Sequence, residues 1–423
     1  MRSVIGAAIA AGMVSLFVPS AGAAPADAPG SFCARVHPGE VAGEIADPAL
    51  DELSGLVASR RHPGVLWAHN DSGATAEVFA VSDTGAALGT YDLPGAQNID
   101  WEDIAVGPGP DAGVSYLYVG DIGGNAVERP EVVVYRVPEP TDAPDGTGGT
   151  LSGVEPLTLR FPDGPADSEA LFVDPLNGDL YLITKSFSGA STVLRAAAAA
   201  LSAGSVTDLE AVAELQLADT GPYDPAFPFA LPSTMVTAAD ISPDGSTILV
   251  RSYQQVLAFS RAPGVSVGEA MVGPPCAAPQ VAEVQGEAIA FSADGDSYFT
   301  STEVQLPIEL GALPAGTLAA LVRFAIDPPV EATPPTTTPS TPSTTSPSTT
   351  APPTSAVPTT GVPATAPPVA PSTAAPSVSA AGESGVDSGA GTAVLIGVVV
   401  VIVAGAAWGA LSVHRRNRSR SRP

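Results

Sequence analysis

The chain has 423 residues, with 44 acidic against 17 basic side chains, a formal net charge of −27 and only two cysteines. That excess of acid repels nucleic acid and anionic lipid head groups and favours cations or basic partners. Two thiols outside any CxxC spacing exclude a zinc-thiolate centre and dithiol redox chemistry.

The first 23 residues have the pattern of an export signal: Arg2, a mostly apolar run from Val4 to Val18, and Ala21-Gly22-Ala23 where a signal peptidase cuts. The expected folded body spans 31–327. Residues 328–389 collapse to Pro, Thr, Ser, Ala and Val, as in Thr336-Thr337-Thr338-Pro339, and cannot bury enough apolar surface to fold, so they are expected to form a low-complexity, disordered and extended stalk. Ala393 to Val413 is long and apolar enough for one transmembrane helix. The basic tail 414–423 after it marks the cytoplasmic side. The sequence therefore predicts a single-pass cell-membrane protein whose body stands outside the cell. Without Arg2 and the five tail arginines, 11 basic residues face all 44 acids in the exported part, a balance near −33. In an oxidising compartment Cys33 and Cys276 are expected to form a disulfide that closes some 240 residues. Loop-closure entropy assigns such a link about 5 kcal/mol.

Within the body, short β-like runs between Gly, Asp and Pro turns dominate; helical periodicities are few, and the main one is the alanine-rich Leu194–Ala203. Five modules recur, opening on Glu52, Glu102, Glu169, Asp240 and Glu287, which lie 50, 67, 71 and 47 residues apart. In each, an acid precedes a short apolar strand, a tight turn and a second strand ending on polar groups: His69-Asn70-Asp71, Asp121, Thr184-Lys185, Arg251 and Thr302-Glu303. A propeller blade takes about 40 to 50 residues, so the reading is an all-β, β-propeller body. Two long gaps and the unassigned Val41–Leu50 leave room for six blades as well as five.

In a propeller the innermost strands line a central channel. Glu52, Glu102, Asp103, Glu169, Asp240 and Glu287 would converge at one mouth, ringed by Asn70, Asp71, Asp121 and Asn125. Such crowded carboxylates need compensation. Either Lys185 and Arg251 neutralise part of the cluster, or a hard cation binds, Ca²⁺ being the best match to carboxylate and amide oxygens. A bound cation would also permit water activation, with His69, Glu102 or Asp121 as the catalytic groups. The functional expectation is a monomeric surface body that binds a small molecule or a cell-envelope or protein partner through its acidic mouth. The alternative is a Ca²⁺-dependent hydrolase of a small ester, lactone or phosphoester.

Trp101-Glu102-Asp103-Ile104-Ala105, Gly120-Asp121-Ile122-Gly123-Gly124-Asn125, Ala239-Asp240-Ile241-Ser242-Pro243-Asp244-Gly245 and Gly286-Glu287-Ala288-Ile289-Ala290 together carry a resemblance. Over Glu52–Phe324 the chain resembles a group of uncharacterised secreted β-propeller proteins of actinobacteria, in which an aspartate usually stands where this chain has Gly124. More distantly its plan is similar to the calcium-dependent six-bladed lactonases and esterases and to the propeller phytases. That likeness implies calcium at the channel, without a match of catalytic motifs; a phosphate-rich substrate would also suit so few basic residues poorly.

Overall fold

The computed structural model describes residues 31–124, 129–220 and 231–329. They form five sheets, each a propeller blade of four antiparallel strands. From the channel outwards, the first blade is Leu53–Ala58, Val65–Asn70, Glu77–Ser82 and Ala87–Asp92. The second is Trp101–Pro108, Ser115–Asp121, Glu131–Pro138 and Glu155–Arg160, and the third is Ser168–Val173, Leu180–Thr184, Ala190–Ala196 and Glu210–Gln216. The fourth is Val236–Ile241, Thr247–Ser252, Val256–Ser260 and Cys276–Ala278. The fifth begins with Gly286–Phe291, Ser297–Thr302 and Ala320–Ala325 and is completed by the N-terminal strand Glu40–Glu44, antiparallel to Ala320–Ala325.

This closure answers the blade count. Val41–Leu50 does not start a sixth blade; its first part supplies the outer strand of the fifth and joins the two ends of the ring. The long gaps between modules have another use. Gly149–Thr150 returns to pair in parallel with the edge of the first blade, and Val206–Asp208 does the same for the second. Those added strands cover sheet edges that would otherwise expose unpaired backbone groups.

The innermost strands are buried along their whole length, save for half-buried Pro108 at the end of the second, because blades pack on both sides of each. Strands buried on both faces read as near-continuous apolar runs rather than alternating ones. This is why Leu171-Phe172-Val173 and Ile289-Ala290-Phe291 lack a polar partner face. Five apolar clusters fill the five spaces between neighbouring blades.

The alanine-rich stretch does not make the expected helix. Leu194–Ala196 ends a strand of the third blade paired on both sides, and Ala198–Ala200 makes a single 3₁₀ turn. Cross-strand pairing outweighs the helix propensity of a short alanine run. A helix does form at Val267–Val272, where Ser266 and Glu269 make a reciprocal capping box. Cys33 and Cys276 are joined, tying the N-terminal segment that closes the fifth blade to the outer strand of the fourth. Among the described residues no helix is long and apolar enough to cross a membrane. The expected signal, most of the stalk, the span and the tail lie outside those residues.

Candidate functional site

Every innermost strand carries a β-bulge at the same place. Leu53 pairs with Asn70 and Gly55 with His69, leaving Ser54 as the extra residue. The same skip leaves Glu102, Glu169, Thr237 and Glu287 in the other four blades. A bulge leaves its extra residue unpaired and re-aims its side chain, and here it does so five times around one mouth. The structural repeat is therefore Ser54, Glu102, Glu169, Thr237 and Glu287, which corrects the sequence alignment on Glu52 and Asp240. The two hydroxyls stitch neighbouring blades: Ser54 Oγ donates to the carbonyl of Glu102 at 2.7 Å and Thr237 Oγ1 to that of Gly286 at 2.8 Å.

Two residues before each bulge stand Glu52, Asp100, Asp167, Met235 and Gln285. Asp100 and Asp167 complete the acid site. The carboxylates of Asp71, Asp100 and Glu102 each place an oxygen within 4.8 Å of the others, and so do those of Glu102, Asp167 and Glu169. The two triplets share Glu102. Oxygens bound to one calcium ion at about 2.3–2.6 Å lie no more than about 5 Å apart, so either triplet has the spacing of a cation site.

Burial and mutual repulsion raise these groups. Glu102 is pushed well above the usual carboxylate range by burial and by Glu169, Asp71 and Asp100, with Lys185 acting in the opposite direction. Asp71 is raised likewise by burial and by Asp100, Glu303 and Glu52. Burial brings Glu169 to about 7 despite Lys185, whose Nζ lies 2.7 Å from its Oε1, and Glu287 to about 8. For Lys185 itself burial opposes the charge, but Glu169, Tyr253, Asp167 and Glu287 hold it well above the ordinary lysine value. Glu102 is 4 % exposed, and among the described residues its Oε1 has no hydrogen-bond partner.

The turn after the second strand of the second blade is shaped to this cluster. A Cβ on Gly123 would lie 2.1 Å from Glu102 Oε1 and 2.6 Å from Asp100 Oδ2, so only glycine lets the carboxylates come so close to the backbone. The N–H of Gly124 donates to Asp167 Oδ1 at 2.8 Å. Asp121 Oδ1 accepts from the N–H of Asp100 at 3.1 Å and from Arg129 at 2.7 Å. Asp121 thus positions the Asp100 segment and belongs to neither triplet.

Several expected site residues do other work. Asp103 Oδ2 accepts the N–H of Leu171 at 2.9 Å and of Ala239 at 3.2 Å, pinning the innermost strands of three blades together. Asp240 similarly accepts from Phe291 at 2.7 Å. Both are pegs in the channel, their oxygens committed to backbone donors, and drop out of the ligand set. Asn70 accepts from the N–H of Glu52 at 3.1 Å and donates to the carbonyl of Ala49 at 2.6 Å, holding the entry to the first blade. Glu52 is half-buried near Asp71, and Glu287 takes a 2.9 Å bond from Gln285; neither joins a triplet. Arg251 does not compensate the triplets: it pairs with Glu283 and donates to the carbonyls of Ala288 and Ser301. Asn125 lies outside the described residues.

His69, expected as a catalytic group, is enclosed between its neighbours. Its Nδ1 bonds the carbonyl of Asn70 at 3.0 Å, its ring meets Trp101 edge-on, and a Cβ on Gly55 would come within 2.4 Å of Nε2. Burial pushes it down to about 4, so it is neutral and enclosed.

No family model and no curated protein matches the chain. Among solved structures it is similar to the RRP9 WD40 repeats, with 9% identity over 69% of this chain and 100% of that one and a TM-score of 0.34. It is also similar to a luciferin-regenerating enzyme, at 10% identity over 67% and 92% with a TM-score of 0.34. A third is the Cps50 (Swd1) beta-propeller domain of Myceliophteria thermophila, at 13% identity over 59% and 66% with a TM-score of 0.31. Likenesses this low carry no argument about the site, and the propeller assignment stands on the strand pairing above.

Proposed function

We propose that this protein is a surface-anchored β-propeller whose channel mouth holds Ca²⁺ on carboxylates of the first three blades and, through that mouth and its loops, binds a small molecule or a partner of the cell envelope. The observation that carries the reading is Glu102, a buried carboxylate shared by two acid triplets, one of whose oxygens has no hydrogen-bond partner among the described residues. An all-oxygen, carboxylate-rich set suits a hard cation, and calcium tolerates the irregular spacing better than magnesium does. The apolar run 393–413 followed by arginines supports the anchor, and the leader at 1–23 supports export. The hydrolase alternative would have to draw on the carboxylates, since His69 is enclosed.

Adding Ca²⁺ at about 100 times its dissociation constant to metal-stripped protein stabilises the fold by about 2.7 kcal/mol, a rise in Tm of about 4 °C. In Glu102→Gln that rise is largely lost. Unchanged melting of the parent chain on Ca²⁺ addition after thorough chelation removes the reading.

A further inference from the structure

The turn from Val173 to Leu180 lies at the end of the third blade opposite the mouth, and beside it the space between the third and fourth blades opens into a slot. One wall is Tyr181, Arg195 and Glu210, cross-strand neighbours in a single row of the third blade. The other is Arg261, just after the third strand of the fourth blade, and the start of the helix Val267–Val272. The cavity between them measures about 540 Å³, within the range of about 300–1,000 Å³ that holds small ligands. Its walls are fixed. Tyr181 stacks on Phe172 with ring centres 5.0 Å apart, and both belong to the apolar cluster that also takes Val267, Ala270 and Met271.

Arg261 is set deep, with 9 % of its side chain exposed and Nη1 3.0 Å from Asp174 Oδ2. Neither of those atoms makes a hydrogen bond among the described residues, while Nε donates to the carbonyl of Val265 at 2.6 Å. Arg195 donates Nε to Asp179 at 2.7 Å and Nη1 to Glu210 at 3.2 Å. Burial pushes the Tyr181 hydroxyl up to about 12, so it stays a donor, and the charges of Asp179, Arg195, Asp174 and Arg261 act on it. These groups exclude most kinds of ligand. An anion meets Asp174, Asp179, Glu210 and Glu269 against Arg195 and Arg261 alone, on a chain of net charge −27. A cation meets a guanidinium at the deep end. An apolar ligand would take water from both ion pairs and return no hydrogen bond. A hydroxyl group suits both walls, because it donates to a carboxylate, accepts from a guanidinium or a phenol, and brings no charge. Several hydroxyls on one rigid ring meet both walls at once, at little cost in conformational freedom.

We propose that this slot is a second binding site, for a neutral sugar held through its hydroxyl groups by Arg195, Arg261 and Tyr181. It lies at the other end of the ring from the acidic mouth and does not depend on the cation reading there.

The test is calorimetry and saturation-transfer NMR on the purified full chain, in chelator and in a detergent without a sugar head group. The probes are glucose, galactose, mannose, arabinose and N-acetylglucosamine, each free and as its methyl glycoside, with sodium phosphate and glycine for comparison. At least one sugar is expected to bind, with an affinity that added salt leaves unchanged. Equal binding of the glycoside marks a unit within a polysaccharide, and binding of the free sugar alone marks a solute; both uphold the site. Tyr181→Phe keeps the ring on Phe172 and is expected to weaken binding about fivefold, and Arg195→Gln about tenfold or more. Should Arg195→Gln fail to fold, Tyr181→Phe decides the matter, since it removes a single oxygen. Binding of none of the sugars, binding unmoved by Tyr181→Phe, or capture of phosphate or glycine in place of sugar overturns the proposal. So does a sugar that is lost in Glu102→Gln and kept in Arg195→Gln, which places it at the mouth. A parent chain whose melting ignores Ca²⁺ overturns the cation reading and leaves this one standing.

Discussion

At the scale of single residues, the channel separates acids that hold the fold from acids that face the mouth. Asp103 reaches from the second blade to backbone N–H groups of the third and fourth. Asp103→Ala leaves those two buried donors without an acceptor, at about 1–3 kcal/mol each. Its expected signature is a fall in Tm with unchanged Ca²⁺ affinity by calorimetry, whereas Glu102→Gln shows the converse balance. Asp240 has a pH signature. Burial pushes it up to about 6, against the Arg60 charge and the N–H groups of Phe291 and Ile241. A carboxyl raised by folding contributes stability that is full below about pH 4 and is lost as the pH climbs through 6. The stability of the parent chain relative to Asp240→Asn should therefore fall by about 2 kcal/mol from pH 4 to 6.5, measured by denaturant unfolding at each pH. His69 works with the opposite sign. Lowered to about 4 by burial, it withdraws stability as the pH falls below about 6.5.

At the scale of elements, the device that makes the site is the repeated bulge. Without the extra residue, Glu102 and Glu169 would sit in the ordinary two-residue alternation of a strand. With it, both are turned to the mouth beside Asp100 and Asp167. The Asp121–Gly124 turn then closes over them. Gly123→Ala would set a methyl group 2.1 Å from Glu102 Oε1 and must displace the carboxylate. The expected outcome is a loss of Ca²⁺ affinity of tenfold or more by calorimetry, with Tm of the metal-free protein nearly unchanged. Part of this element was legible in the chain. Asp100-Trp101-Glu102, Asp167-Ser168-Glu169 and Gln285-Gly286-Glu287 share an alternating pattern of a polar or acidic residue, any residue, then Glu. An alignment on one acid per module passes over it. The bulge itself was not legible, because it is set by how five innermost strands crowd around one axis and not by any local turn residue.

At the scale of the whole molecule, stability depends on closing the ring. The strand Glu40–Glu44 completes the last blade, and the Cys33–Cys276 bond holds the segment before it to the neighbouring blade. Replacing both cysteines by serine frees a loop with a sequence separation of 243 residues. The expected cost is up to about 5 kcal/mol by loop-closure entropy, read as a lower denaturant midpoint. Ca²⁺ affinity should be retained, since the site lies on blades the bond does not touch.

The amino-acid sequence by itself determined the class of fold, the modular repeat, the pairing of two lone cysteines and the acidity of one end of the modules, because each follows from local periodicity or from composition. Which acids meet was decided by the tertiary structure alone. Asp103 and Asp240 are as acidic and as well placed along the chain as Glu102, yet backbone donors from neighbouring blades claim their oxygens. Arg251 is likewise claimed by Glu283, while Asp100 and Asp167 come together with Glu102 across two blades. Contacts between residues far apart in the chain depend on the register and angle of packed sheets, and no stretch of sequence carries that information on its own.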